Sequence, residues 1–371
     1  MVFGGRILSG PRHAYGHGLG VHALAFFDPQ TGKWRAASRI PPYRTRAIVQ
    51  PYTKVQANRE KENGVPDPPI KDGEFSAYKY EVPFGGADAQ GRAHYFIGRG
   101  SVYFDPRTQT WGQARAHVYH AFPADPGSSW VDGTRPSWEG RTLGATATGP
   151  DGRMYLVGGR GTPVEKPGRK HVLSGLDIYD PATNSWKRGA SMTIARQMHA
   201  AAFGGDGKLY VFGGCACRGA IPLSRQGNAE DEKLAHAEAE AQRHSVAETE
   251  VYDPATDSWS LAAPMRTPRM LLAAATGADG KIYVIGGKTW LGGKGSSMVE
   301  VYDPVTDRWS WGPSLRVART GHAAVTTGDG TIWVLGGYAE APKAMEISRL
   351  YAGDKGGPTT SVELLKTAPR K

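Results

Sequence analysis

The sequence predicts an all-β fold assembled from one repeated unit of short strands, and three observations predict it. First, an Asp-Pro turn followed by Trp at constant spacing recurs: Asp28-Pro29 with Trp34, Asp105-Pro106 with Trp111, Asp180-Pro181 with Trp186, Asp253-Pro254 with Trp259, and Asp303-Pro304 with Trp309. Second, glycine pairs close apolar runs at Gly4-Gly5, Gly158-Gly159, Gly213-Gly214, Gly286-Gly287 and Gly336-Gly337, with Ile97-Gly98-Arg99-Gly100 as a degenerate copy. The last two pairs lie 50 residues apart, within the range of periods that marks repeat architectures. Third, Asp151-Gly152, Asp206-Gly207, Asp279-Gly280 and Asp329-Gly330 sit between apolar runs, the strongest short-range hairpin signal.

Each unit is expected to hold four strands. One precedes the Asp-Gly turn, one ends at the glycine pair, one ends at Asp-Pro, and one starts at Trp. The 371 residues then form one large domain of six units rather than two or three ordinary domains. The 50 Gly and 26 Pro fall mostly at turns, which argues for a turn-rich β protein and against disorder. No apolar run approaches membrane-spanning length.

Taken in order, Met1 to Gly5 matches the end of the run Tyr210 to Gly214, so the sequence opens inside a unit whose inner strand is missing. Either Ser361 to Leu365 helps complete the array or upstream residues have been lost. A polar insertion spans about 39–78, a second connection spans 113–140, and a third insertion spans 215–246. Units 3 to 6 open near Arg141, Arg196, Arg269 and Arg319. Unit 6 has Tyr351-Ala352-Gly353-Asp354 where the others have Asp-Pro. Within the third insertion, 228–244 reads as a helix. Asn228 caps it, and Glu232, His236, Glu240 and His244 form a stripe that stabilises an exposed helix better than it holds a metal.

A glycine pair after an aromatic-containing strand, then an aromatic-Asp-Pro turn and a Trp at fixed spacing, resembles the kelch-repeat family, a member of the galactose-oxidase-like propellers. The resemblance covers nearly the whole chain and implies a six-bladed β-propeller, with long loops and the one inserted helix on one face. It leaves function open, because propellers of this kind serve as adaptors, scaffolds, sugar oxidases and isomerases.

Strand parity in a four-stranded meander separates two faces. The turns after strands one and three are short throughout. The loops after strands two and four carry the His13, His17 and His22 segment, the 160–171 loop, the 215–246 insertion and the 288–296 loop. That second face is expected to carry function. Symmetry brings Arg141, Arg196, Arg269 and Arg319 around the channel mouth there, where guanidinium forks suit carboxylate or phosphate. The resemblance implies that such arginines either cap blades or bind acidic peptides. His199 and His322 follow two of them by three residues, and read more readily as core histidines than as ligands. Trp138 and Trp290 lie in the same loops as candidate anchors.

Low-ranking metal candidates are His13, His17 and His22, and the pair Cys215 and Cys217. The thiols have Arg218 beside them to favour thiolate. No cofactor is predicted, and no catalytic residue can be named. Lys+Arg total 45 against 35 Asp+Glu, a balance that favours acidic partners without any readable nucleic-acid module.

The expectation is a binding or scaffold protein whose basic, aromatic-bearing face takes a protein segment or an anionic small ligand. The alternative is a propeller enzyme of oxidase or epimerase type acting on a sugar or other small molecule. Oligomeric state is left open. Location is cytoplasmic by default, or secreted if a leader has been lost upstream.

Overall fold

The computed structural model describes residues 2–3, 23–28, 33–39, 84–97, 100–108, 110–114, 138–163, 171–183, 185–216, 245–289, 293–338 and 362–367. The chain divides into two compact units, residues 1–80 and 81–371. In the first, Val2–Phe3 pairs antiparallel with Ala23–Asp28, which pairs with Lys33–Arg39.

The second unit holds repeats 2 to 6. Repeat 3 shows the plan: Ala145–Thr148, Met154–Val157, Leu176–Asp180 and Ser185–Gly189 form one antiparallel meander. Repeats 2, 4 and 5 have the same four-stranded order. The first strands of successive repeats pack against one another, so they form the inner edge and the sheets radiate from them as propeller blades. Among the described residues every regular element is a strand. The helix expected over 228–244 lies outside the described residues.

The second strand of each blade is apolar along its length because it is covered on both sides. In Met154–Val157, Met154 and Leu156 pack with Tyr103 of repeat 2, whereas Tyr155 and Val157 pack with Leu209, Val211 and Tyr252 of repeat 4. The alternation follows from the two-residue period of a strand. The core is therefore not central but is divided into slabs between blades. One of them joins Phe212 and Val251 to Ile282, Val284 and Trp309.

The constant spacing from Asp-Pro to Trp has a geometric cause. Asp307, with φ of 51°, accepts from the Tyr302 hydroxyl at 2.7 Å and from the Ala263 N–H of the preceding blade at 2.8 Å. Trp309, two residues on, donates its indole N–H to the carbonyl of the same Ala263 at 2.8 Å. Asp257, Trp259 and Ala190 repeat this clamp one blade earlier. An insertion between the Asp and the Trp would release one jaw.

Repeat 6 departs from the sequence reading. The third strand of its sheet is Val362–Leu365, which pairs with Ile332–Leu335. Leu365 enters the core slab shared with repeat 5, and Glu363 reaches Arg319. Residues 351–356 lie outside the described residues. Pro313 occupies the place that Ala190 and Ala263 hold in the earlier blades and has no N–H for a clamp to take.

Candidate functional site

The mouth on the long-loop side is built where each chain segment enters its blade. Arg196–Gln197 pairs with Cys215–Ala216, Trp138–Thr142 pairs with Arg160–Pro163, and Met270 and Thr320 bridge Lys288 and Tyr338. Each entry strand thus faces the residue just after a glycine pair. The next residue, Leu143, Met198, Leu271 or Gly321, turns left-handed with φ between 54° and 61°. Its N–H bonds to its counterpart in the preceding blade: Met198 to Leu143, Leu271 to Met198, and Gly321 to Leu271, at 2.7–2.8 Å. These bonds stitch the inner rim.

The arginines occupy equivalent places, as the repeat register requires, but they are turned inward. Arg196, Arg269 and Arg319 are each 0% exposed. Arg196 pairs with Glu250 at 2.7 Å, Arg269 with Glu300 at 3.0 Å, and Arg319 with Glu363 at 2.6 Å. Each also donates to the carbonyl of the first glycine of its blade's pair: Gly213, Gly286 or Gly336. The glutamate in turn accepts backbone N–H groups from the loop entering the blade, Thr193 and Ile194 for Glu250 and Arg266 and Thr267 for Glu300. Burial lowers the Arg196 and Arg269 pKa values, and the glutamates oppose that shift. The blade-capping role that the sequence left open is the one this geometry supports, and it turns these guanidiniums away from a solvent-borne anion. The backbone of Arg141 lies in Trp138–Thr142, and its side chain is outside the described residues.

The glutamates are the partners that sequence reasoning missed. The signal was present, since an acid stands three residues before each Asp-Pro at Asp177, Glu250 and Glu300, inside an otherwise apolar strand. The distance from arginine to acid varies with the loops, which hides the pairing.

His199 and His322 are core residues. His199 Nε2 lies 3.1 Å from the Val157 carbonyl of the preceding blade, and His322 stands over Gly286 beside the Ile285 carbonyl. Burial, reinforced by the charges of Arg319 and Arg269, lowers the His322 pKa to about 3, so it is neutral at ordinary pH. Blade 5 has Leu272 at this position, so the imidazole acts there as a shaped apolar group.

Cys215 is buried, 1% exposed. Gln197, its cross-strand partner, is fully buried. Lys288 is 2% exposed, and burial lowers its pKa to about 8. Cys217, His13, His17, His22 and Trp290 lie outside the described residues, as does the side chain of Trp138. No group of three or more His, Cys, Asp or Glu residues suited to a metal occurs among the described residues. No helix among them is long and apolar enough to cross a membrane.

Comparison with known proteins agrees with this geometry. A family model described as Kelch motif matches residues 141–193 and 269–316. The chain is 31% identical over 136 residues to Kelch-like protein 25 of Xenopus laevis, covering 36% of this chain and 19% of that one. It is 30% identical over 135 residues to Kelch-like ECH-associated protein 1A of Danio rerio, covering 36% and 17%. An F-box/kelch-repeat protein of Arabidopsis thaliana is 30% identical over 120 residues, covering 32% and 25%. The chain therefore spans a quarter or less of the length of these relatives. Among solved structures, that of YjhT aligns with a TM-score of 0.54 at 19% identity, over 77% of this chain and 82% of that one, a likeness of fold.

Proposed function

The chain belongs to the kelch-repeat β-propellers, and from that premise we propose that it is a binding protein that captures a segment of a protein partner, or an anionic ligand, on its long-loop face. The observation that carries this reading is the asymmetry of the blades. The turns at 149–153, 204–208 and 277–281, and those at 254–257 and 304–307, are tight and closed by their own aspartates. The connections from second to third strand run from 158 to 175, from 213 to 248 and from 286 to 298. A rigid ladder with variable loops on one side is the usual arrangement for recognition. One relative carries association with another protein in its own name, which agrees with this reading.

The buried arginine ring forms the floor under this face, and contact with a partner falls to the loops above it. Arg160 and the exposed Lys294 supply positive charge at the edges of two such loops, and Arg141, Trp138 and Trp290 belong to the same rim by sequence. Affinity for an acidic segment is expected to fall as salt is raised, because exposed charges are screened. The test is binding of immobilised polyglutamate to the native chain and to paired charge reversals. Arg160→Glu with Lys294→Glu should weaken binding and flatten its salt dependence. Lys208→Glu with Lys281→Glu, on the tight-turn side, should not. Equal loss in both pairs would overturn the assignment of the face.

A further inference from the structure

Three sulfur-bearing side chains meet where blades 4 and 5 join at the mouth. Met198, Cys215 and Met270 pack as one cluster, each no more than 4% exposed, with Leu143 and Leu271 against them. They come from three separate segments, and the backbone fixes each one. Met198 is held left-handed between Leu143 and Leu271 by the rim hydrogen bonds. Cys215 is paired opposite Gln197, and Met270 opposite Lys288.

The rim repeat makes the set distinctive. Leu143, Leu271 and Gly321 stand where Met198 does, Arg160, Lys288 and Tyr338 where Cys215 does, and Thr142, Gln197 and Thr320 where Met270 does. Among these positions sulfur therefore occurs only at the ones that converge on this junction. Gln197 supplies a second, independent observation. It is 0% exposed, and neither its amide oxygen nor its amide nitrogen has a hydrogen-bond partner among the described residues. Directly opposed residues of an antiparallel pair project from the same face, so this amide is aimed to the side on which Cys215 stands. Leaving a buried amide unpaired is costly, which points to a polar or charged occupant beside the sulfurs.

Thiolate and thioether donors are soft, and they select Cu(I) over the oxygen-preferring cations. A site of one thiol and two thioethers also falls short of the four nitrogen, sulfur or oxygen ligands that structural zinc requires. We propose that Met198, Cys215 and Met270 form a Cu(I) site at the junction of blades 4 and 5, with the Gln197 amide beside it. Binding is a ligand exchange without redox change: Cu(I) replaces the thiol proton of Cys215, and the proton leaves to solvent. Lys288 is the cross-strand partner of Met270.

The test is an anaerobic titration of the reduced full chain with Cu(I) against the chromogenic chelator bicinchoninate. The native chain should withhold one equivalent, and Cys215→Ser should release it. Met198→Leu and Met270→Leu keep the apolar volume, and Leu is the residue that the neighbouring blades carry at position 198. Each should weaken retention at least about tenfold, the lower end of the loss seen when metal-site partners are removed. Cys217→Ser should retain copper. Complete release by the native chain, undiminished retention in both Met variants, or loss with Cys217→Ser alone would each overturn the proposal.

Discussion

Arg269 and Glu300 carry opposite charges in a place that water does not reach, and each is held by further hydrogen bonds. Removing one partner of such a pair typically costs about 3–5 kcal/mol, because the other is left charged and buried. Glu300→Ala should therefore lower the urea midpoint severely, whereas Arg269→Met with Glu300→Leu together should lose less than the sum of the single changes. Strict additivity in those denaturation curves would mean that the two residues do not act as a pair. His322 makes a pH prediction at the same scale. Its folded pKa lies far below the unfolded value, so the unfolded chain binds the extra proton, and stability falls as pH drops below about 6.5. The slope approaches about 1.4 kcal/mol for each pH unit. His322→Leu, the solution blade 5 already uses at Leu272, should flatten the urea midpoint between neutral pH and pH 5. An unchanged slope would place the titrating group elsewhere. The position of these side chains was legible from the repeat register. The core placement of His322 was the favoured reading as well, whereas the inward direction of Arg269 was left open, because it depends on an acid brought close only by folding.

At the scale of the element, the glycine pairs end second strands where the next blade presses hardest. A Cβ on Gly213, which has φ of 62°, would collide with the Arg269 carbonyl oxygen, which already accepts the Gly214 N–H at 2.9 Å. Gly213→Ala should therefore cost more than the roughly 1–2 kcal/mol of left-handed strain alone. Gly91→Ala, at φ of 76° with open space around it, should cost only that strain. Comparable thermal shifts for the two would refute the close approach. Trp309→Phe keeps the ring in its slab but loses the bond to Ala263, a change of about 1 kcal/mol in urea unfolding. The hairpins were readable because turn chemistry is local, whereas the clamps showed only as a constant Asp-Pro to Trp spacing, since their bonds to Ala190 and Ala263 join different blades. The third strand of repeat 6 was not, since Val362-Glu363-Leu364-Leu365 carries no Asp-Pro and no Trp.

Among the described residues, the main core slabs of the second unit each join two neighbouring repeats. Stability in such an array is approximately a sum of repeat and nearest-neighbour terms. Glu300→Ala should therefore speed amide exchange most in repeats 4, 5 and 6 and least in repeat 2. Uniform acceleration across all of them would show that the unit opens in one step. The two faces were legible as a contrast between short turns and long loops. The sulfur junction was not, because Met270 stands 55 residues after Cys215 and 72 after Met198 and joins them only when blades 4 and 5 dock.

Pro313 sets a direction on this array. Just after their fourth strands, repeats 3 and 4 carry Ala190 and Ala263, whose N–H and carbonyl together receive the next blade's Asp and Trp. Repeat 5 offers only a carbonyl at that point. Its successor must therefore be a blade that makes no demand on the missing N–H. Tandem duplication of an internal blade would be tolerated after repeat 3 or 4, where the joint is two-pronged, and rejected after repeat 5, where half of the joint is gone. One imino acid thus makes the joint after repeat 5 one-pronged where the two before it are two-pronged.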